Sequence, residues 1–114
     1  MDCRTMPTKP NAAAMAEAAQ EASHFLRQLA NEKRLLALCQ LVEGELSVGD
    51  LAARVELSQS ALSQHLQKLR DDGLVATRRD GQSIYYRLAD PKVAALIELL
   101  YRQFCQPAGK SKKK

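Results

Sequence analysis

No run of about 18 apolar residues, the length a bilayer-spanning helix needs, occurs anywhere in the 114 residues. The alanine-rich beginning also lacks the basic leader and apolar block of a secretory signal, so the chain is expected to stay in the cytoplasm, away from membranes. Cysteine is scarce. Cys3, Cys39 and Cys105 are too few and too far apart for a disulfide framework, and none forms a CxxC zinc or redox pair. The thiols are therefore expected to start reduced. A nucleophile-base-acid set and a phosphate-cradling glycine loop are both missing, which disfavours an enzyme, and no cofactor or metal is expected. Even the net charge of +4 is less than it looks: Lys110, Lys112, Lys113 and Lys114 supply the excess, and residues 1–109 carry 13 basic and 13 acidic side chains. Any nucleic-acid argument must rest on where Arg and Lys fall in the fold. The lysine tail reads as a solubilising end, with nonspecific phosphate binding as the alternative.

What is present organises into a single domain with loose ends. Residues 1–11, with Pro7 and Pro10, read as a disordered arm, residues 12–106 as the folded domain, and residues 107–114 as a disordered basic tail. Residues 12–30 are rich in helix formers, and Ala22, Phe25, Leu26 and Leu29 recur at helical spacing. Asn31 can cap a second helix with Leu35, Leu36, Leu38, Cys39 and Val42 as a broad buried face, and Gly44 offers a stop. Ser47 then caps a short third helix over residues 48–54. After the punctuation at Leu57-Ser58, Leu62, Leu66 and Leu69 mark the inward stripe of a fourth helix ending near Gly73. Two helices across so tight a turn predict a helix-turn-helix. The period then changes: residues 74–79 and 83–88 favour strands, with Asp80-Gly81 as the hairpin-turn pair. Asp90 as N-cap and Pro91 at the first helical position open a last helix, with Val93, Leu96, Ile97, Leu100 and Phe104 on one side. The expected fold is mainly α (α+β), a winged helix-turn-helix in the order α-α-α-α-β-β-α.

With the leucine stripe inward, Ser60, Ser63, Gln64, Gln67 and Lys68 of the fourth helix point away from the core, and Gln59 lies in its first turn. Hydroxyls and carboxamides suit base edges in the major groove, and a helix N-terminus suits a phosphate. A solvated face is the ordinary reading of such residues alone; the turn before them and the wing after them favour double-stranded DNA. In the wing, Arg78, Arg79, Gln82 and Arg87 surround the hairpin tip, where cations can follow the phosphate backbone or enter the minor groove. The same charges would protect an edge strand from aggregation. His65 flanks the leucine stripe, as a packed structural histidine or a phosphate contact. Tyr85 and Tyr86 alternate across the strand, so at least one should pack inward.

The strings LANEKRLLALCQLVEGELSVGDLA and LSQSALSQHLQKLRDDGLVATRRDGQSIYYRL resemble the ArsR/SmtB family over nearly the whole ordered chain. The resemblance implies a winged-helix repressor that binds operator DNA as a homodimer through its first and last helices and leaves it when an inducer binds. Apolar faces on residues 12–30 and 91–105 suit that interface. The chain departs from the metal-sensing members. Where their third helix reads ELCVCDL in outline, this one reads ELSVGDL, with Ser47 and Gly49 in place of thiolates. Zinc-sensing members use Asp and His on the last helix, but here Asp90 is followed by Lys92 and no His occurs in that helix.

Cys39 and Cys105 remain, and with LVEGELSVGDL they resemble the dithiol BigR/HlyU-type branch. The resemblance implies that persulfide or oxidant bridges the pair through a disulfide or added sulfur atoms and weakens operator binding. Taken without it, Cys39 on an apolar stripe reads as a small buried hydrophobe. Cys3 reads as incidental. The competing readings are a repressor induced by a thiophilic metal or metalloid on Cys39, Cys105 and Cys3, and a winged-helix module that binds protein partners.

Overall fold

A computed structural model describes residues 11–105. The expectations for the arm, Cys3 and the lysine tail lie outside the described residues. The chain divides after Ala30 into two units. The first holds α1 (Ala12–Leu29), capped by Asn11, whose Oδ1 accepts from the amides of Ala13 at 2.9 Å and Ala14 at 3.2 Å. Asn11 thus belongs to the helix rather than to the arm. Within the expected apolar stripe Leu29 is buried, whereas Leu26 is half exposed.

The second unit runs α2 (Glu32–Leu41), β1 (Leu46–Ser47), α3 (Val48–Val55), α4 (Gln59–Asp71), β2 (Val75–Asp80), β3 (Ser83–Leu88) and α5 (Pro91–Phe104). Each helix here starts on a side-chain cap that accepts an otherwise orphaned amide: Asn31 from Arg34 at 3.1 Å, Ser47 from Asp50 at 3.1 Å, Ser58 from Ala61 at 3.1 Å and Asp90 from Lys92 at 2.9 Å. Such caps contribute about 1 kcal/mol apiece. That amide, with the Lys92 ammonium beside it, also holds the Asp90 carboxyl below its ordinary range.

Helix ends are equally specific. Both α3 and α4 close with a Schellman pair of backbone bonds. In α4 the amides of Gly73 and Leu74 reach back to the carbonyls of Arg70 and Leu69, each at 2.9 Å, with Gly73 at a φ of +76°. In α3 the left-handed position is taken by Glu56 at φ +59°, while Leu57 bonds the carbonyl of Ala52 at 3.0 Å. The turn of the helix-turn-helix is therefore Glu56, Leu57 and Ser58.

The core of this unit is one apolar cluster: Ala37, Leu38 and Leu41 from α2, Leu51, Ala52 and Val55 from α3, Leu62, Leu66 and Leu69 from α4, Leu74 and Val75 entering β2, Tyr86 from β3, and Val93 and Ile97 from α5. Tyr86 is thus the tyrosine that packs inward. The expected face of α2 was too wide, because its neighbours cover only one side: Leu36 and Val42 are 41% and 45% exposed, and Cys39 is exposed. On α5 the stripe likewise runs out of cover, and Phe104 is 79% exposed.

Three strands, not two, form the antiparallel sheet, in the order β1-β3-β2. β1 adds Leu46 opposite Tyr86 and Ser47 opposite Tyr85. A two-residue strand shows no alternation, so the sequence pattern missed it. The hairpin turn also sits one residue further on than expected. Asp80 pairs with Ser83, leaving Gly81-Gln82 as the loop, and Gly81 at φ +65° takes the first central position that a type II′ turn requires. Among the described residues no helix is long and apolar enough to cross a membrane.

Removing buried volume from α4 should be costly. Leu66→Ala should lower unfolding free energy by about 3 kcal/mol, measured by chemical denaturation. A Cβ on Gly73 meets nothing within 4 Å, so Gly73→Ala should cost only the left-handed strain, about 1 kcal/mol.

Candidate nucleic-acid interface and cysteine groove

The buried leucines fix the rotation of α4. Its outer side carries Gln59, Ser60, Ser63, Gln64, Gln67 and Lys68, all exposed, as the helical spacing predicted. Two of the carboxamides already have neighbours. Gln67 donates to Asp71 one turn on at 2.9 Å, and Gln59 lies over Gly49 at the start of α3, where a Cβ would stand 3.4 Å from its Nε2. Ser60, Ser63 and Gln64 present short hydrogen-bonding groups from the N-terminal half of the helix, the part that enters a major groove first.

His65 resolves as a structural histidine. Its Nδ1 accepts a hydrogen bond from Arg34 Nε at 3.1 Å, which joins α4 to α2. Partial burial, then the charges of Arg34 and Lys68, press its pKa below the ordinary value and favour the neutral ring that this acceptor role demands.

In the wing, Arg79 and Gln82 are exposed near the tip, whereas Arg87, expected there too, pairs with Ala76 near the base of the hairpin. Arg78 is placed differently. Its guanidinium forks onto the Glu45 carboxylate, Nε at 3.0 Å from Oε2 and the second nitrogen at 2.8 Å from Oε1, and its carbon lies 4.7 Å from the centroid of the Tyr85 ring. That hydrogen bond holds the Glu45 carboxyl below its usual range and raises the guanidinium further. Neither Glu45 nor Arg34 was singled out from the sequence. Their partners lie 33 and 31 residues away, and no local pattern marks such a pairing.

A second site lies between α2 and α5. Cys39 projects from α2, and Cys105, the residue that caps α5, donates its amide to Tyr101 at 2.8 Å. Both are free thiols, and both line one open apolar groove of about 630 Å³ with Leu35, Leu36, Leu100 and Phe104. The apolar wall pushes the Cys39 thiol up from its ordinary pKa, and a thiolate at Cys105 adds to that rise. The groove thus unites the two cysteines that the sequence singled out. Among the described residues no group of three or more His, Cys, Asp or Glu could hold a metal ion.

Residues 31–77 match the model of the arsR family of bacterial regulatory proteins. The transcriptional activator HlyU of Vibrio cholerae is 57% identical over 82 residues, which span 72% of this chain and 76% of that protein. A solved structure of reduced HlyU from the same organism superimposes with a TM-score of 0.77 at 53% identity, covering 82% of this chain and 98% of that one. The transcriptional repressor BigR of Xylella fastidiosa superimposes with a TM-score of 0.80 at 42% identity, covering 84% and 98%. With a helix-turn-helix, a charged wing and this identity to transcriptional regulators, the chain belongs to the arsR family of DNA-binding transcriptional regulators.

Proposed function

We propose that the chain is a cytoplasmic transcriptional repressor that binds its operator as a homodimer and releases it when Cys39 and Cys105 are bridged in response to a persulfide or an oxidant. The observation that carries this reading is the shared groove: two free thiols from different elements line one apolar cleft. Gln59, Ser60, Ser63, Gln64 and Lys68 on α4 read the major groove and its phosphates, and Arg79 and Gln82 reach the backbone from the wing.

The chemistry balances with groups already named. A cysteine thiolate attacks the sulfane sulfur of an organic persulfide and expels the organic thiolate, leaving a protein persulfide. The second thiolate attacks the inner sulfur of that persulfide, forming the disulfide and expelling hydrosulfide. If a second persulfide reacts first, extra sulfur atoms remain in the bridge. With hydrogen peroxide, one thiolate becomes a sulfenic acid with loss of hydroxide, and the other thiolate displaces a second hydroxide to give the same disulfide. The raised pKa of Cys39 leaves it less thiolate than an ordinary cysteine, which slows its attack in whichever step it takes.

The deciding experiment compares operator affinity of reduced protein with that of protein treated with organic persulfide, hydrogen peroxide or metal salts, with intact mass read on each sample. The operator is selected from a random duplex library. Persulfide should lower affinity and add a mass consistent with a sulfur bridge. Release by metal salts alone would favour the metal-responsive reading instead. Cys39→Ser and Cys105→Ser should each bind DNA like the parent and lose the response, whereas Gln64→Ala should weaken specific binding about tenfold.

Thiol reactivity gives a separate check. Because its pKa is raised, Cys39 holds less thiolate at neutral pH, so its alkylation by iodoacetamide should be slow there and accelerate as pH climbs past the ordinary thiol range. Cys105→Ser removes the neighbouring thiolate and should make Cys39 alkylate faster under alkaline conditions, where that thiolate would stand beside it. Mass spectrometry of each peptide against pH would read both effects, and a Cys39 rate unaffected by that substitution would break the assigned coupling.

A further inference from the structure

We infer that Arg78 is a positioning residue that aims the wing, and not one of its phosphate ligands. The inference rests on the DNA-binding part of the proposed function and is independent of the cysteine chemistry. Pairing between β2 and β3 runs from Val75 opposite Leu88 out to Asp80 opposite Ser83. β1 supports that ribbon only as far as Tyr85 and Tyr86. Beyond them the hairpin is two strands wide, a form that holds a fixed direction poorly unaided.

Arg78 lies at the boundary of that unsupported end. It stands directly opposite Tyr85, so the two side chains share a face of the hairpin. Since β3 is the central strand, the bond from Arg78 on β2 to Glu45, the residue before β1, passes over β3 and the Tyr85 ring. It is a strap from the far edge of the wing to the start of the sheet. Asp80, two residues along the same face of β2, adds a second carboxylate at 3.7 Å.

A phosphate ligand needs free donors and net positive charge. Arg78 has its Nε–H and one terminal nitrogen engaged by Glu45, and the cluster it forms with Glu45, Asp80 and Arg87, whose charge also reaches Glu45, carries no net positive charge. Arg79, the next residue, alternates onto the other face opposite Ile84 and is exposed. Adjacent arginines therefore divide the work: Arg78 holds the hairpin and Arg79 meets the backbone.

Salt dependence separates the two roles, because removing one phosphate-neutralising side chain lowers the slope of log affinity against log salt by about 0.9. Operator binding would be measured from low to high salt for Arg78→Met, Glu45→Gln and the exchanged pair Glu45→Arg with Arg78→Glu. If Arg78 positions the wing, both single variants bind the operator about fivefold more weakly, with the slope unchanged, and the exchanged pair recovers most of the loss. A reduced slope in Arg78→Met, together with Glu45→Gln binding at least as tightly as the parent, would overturn the inference. So would single variants that bind like the parent. A parent chain that selects no duplex would sink the DNA reading itself. That failure is distinguished by amide exchange over residues 79–84 of the free protein, which must rise in both single variants if the strap holds the wing.

Discussion

The burial of three leucines on one helix governs the rest of the molecule. Leu62, Leu66 and Leu69 are completely buried, and their spacing leaves α4 a single rotational setting. Turning the helix by one residue would expose a leucine and bury a serine or glutamine without partners, a penalty of about 1–3 kcal/mol for each polar group. The polar face therefore projects outward as a consequence of core packing. The two capped turns then fix where the helix begins and ends, so its N-terminal half is presented and its C-terminal end hands the chain to β2.

Around that constraint α2 acts as the hub. Near its start the Lys33 ammonium donates to the Val55 carbonyl at 3.2 Å, satisfying the end of α3. Arg34, one residue on, bonds His65 of α4, and further along Gln40 accepts from Arg54 of α3 at 3.2 Å. Past its C-terminal end the chain reaches Glu45, which grips the wing through Arg78. α3, α4 and β2 are thus each tied by at least one side-chain bond to α2 or to its outgoing loop. Cys39 sits on this same helix.

The helices were legible in the sequence because each combines a cap, an apolar period and a stop, signals that act within a few residues. Ser58, the leucine stripe and Gly73 bounded α4 to within two residues of its observed ends. The outer face of α4 followed directly, and Cys39 and Cys105 were singled out on resemblance and found in one groove. What the sequence hid depends on distant partners or very short elements. β1 is too short to show a period, and the turn moved because Asp80 could extend the ladder by pairing with Ser83. The exposure of Leu36, Val42 and Cys39 depends on how far α5 covers α2, which periodicity along α2 cannot report. The commitment of Arg78 to Glu45 was hidden for the same reason: a charged residue near a hairpin tip reads alike whether it faces a phosphate or a carboxylate.

A bridge between Cys39 and Cys105 would act where these ties converge. A disulfide holds its two Cα atoms within about 7 Å, and each added sulfur relaxes that limit. Bridging can change DNA affinity only to the extent that the bridged spacing differs from the one set by packing of α2 on α5. A tenfold loss of operator affinity needs a difference of only about 1.4 kcal/mol between the two forms, comparable to a single cap or buried hydrogen bond. A small movement of α2 suffices, since it loads the Arg34–His65 bond to the recognition helix and the Glu45–Arg78 strap to the wing together. Where the packed spacing exceeds disulfide reach, a short disulfide would constrain α2 most and a longer polysulfide least, so in the proposed mechanism the length of the bridge would set how far the operator is released.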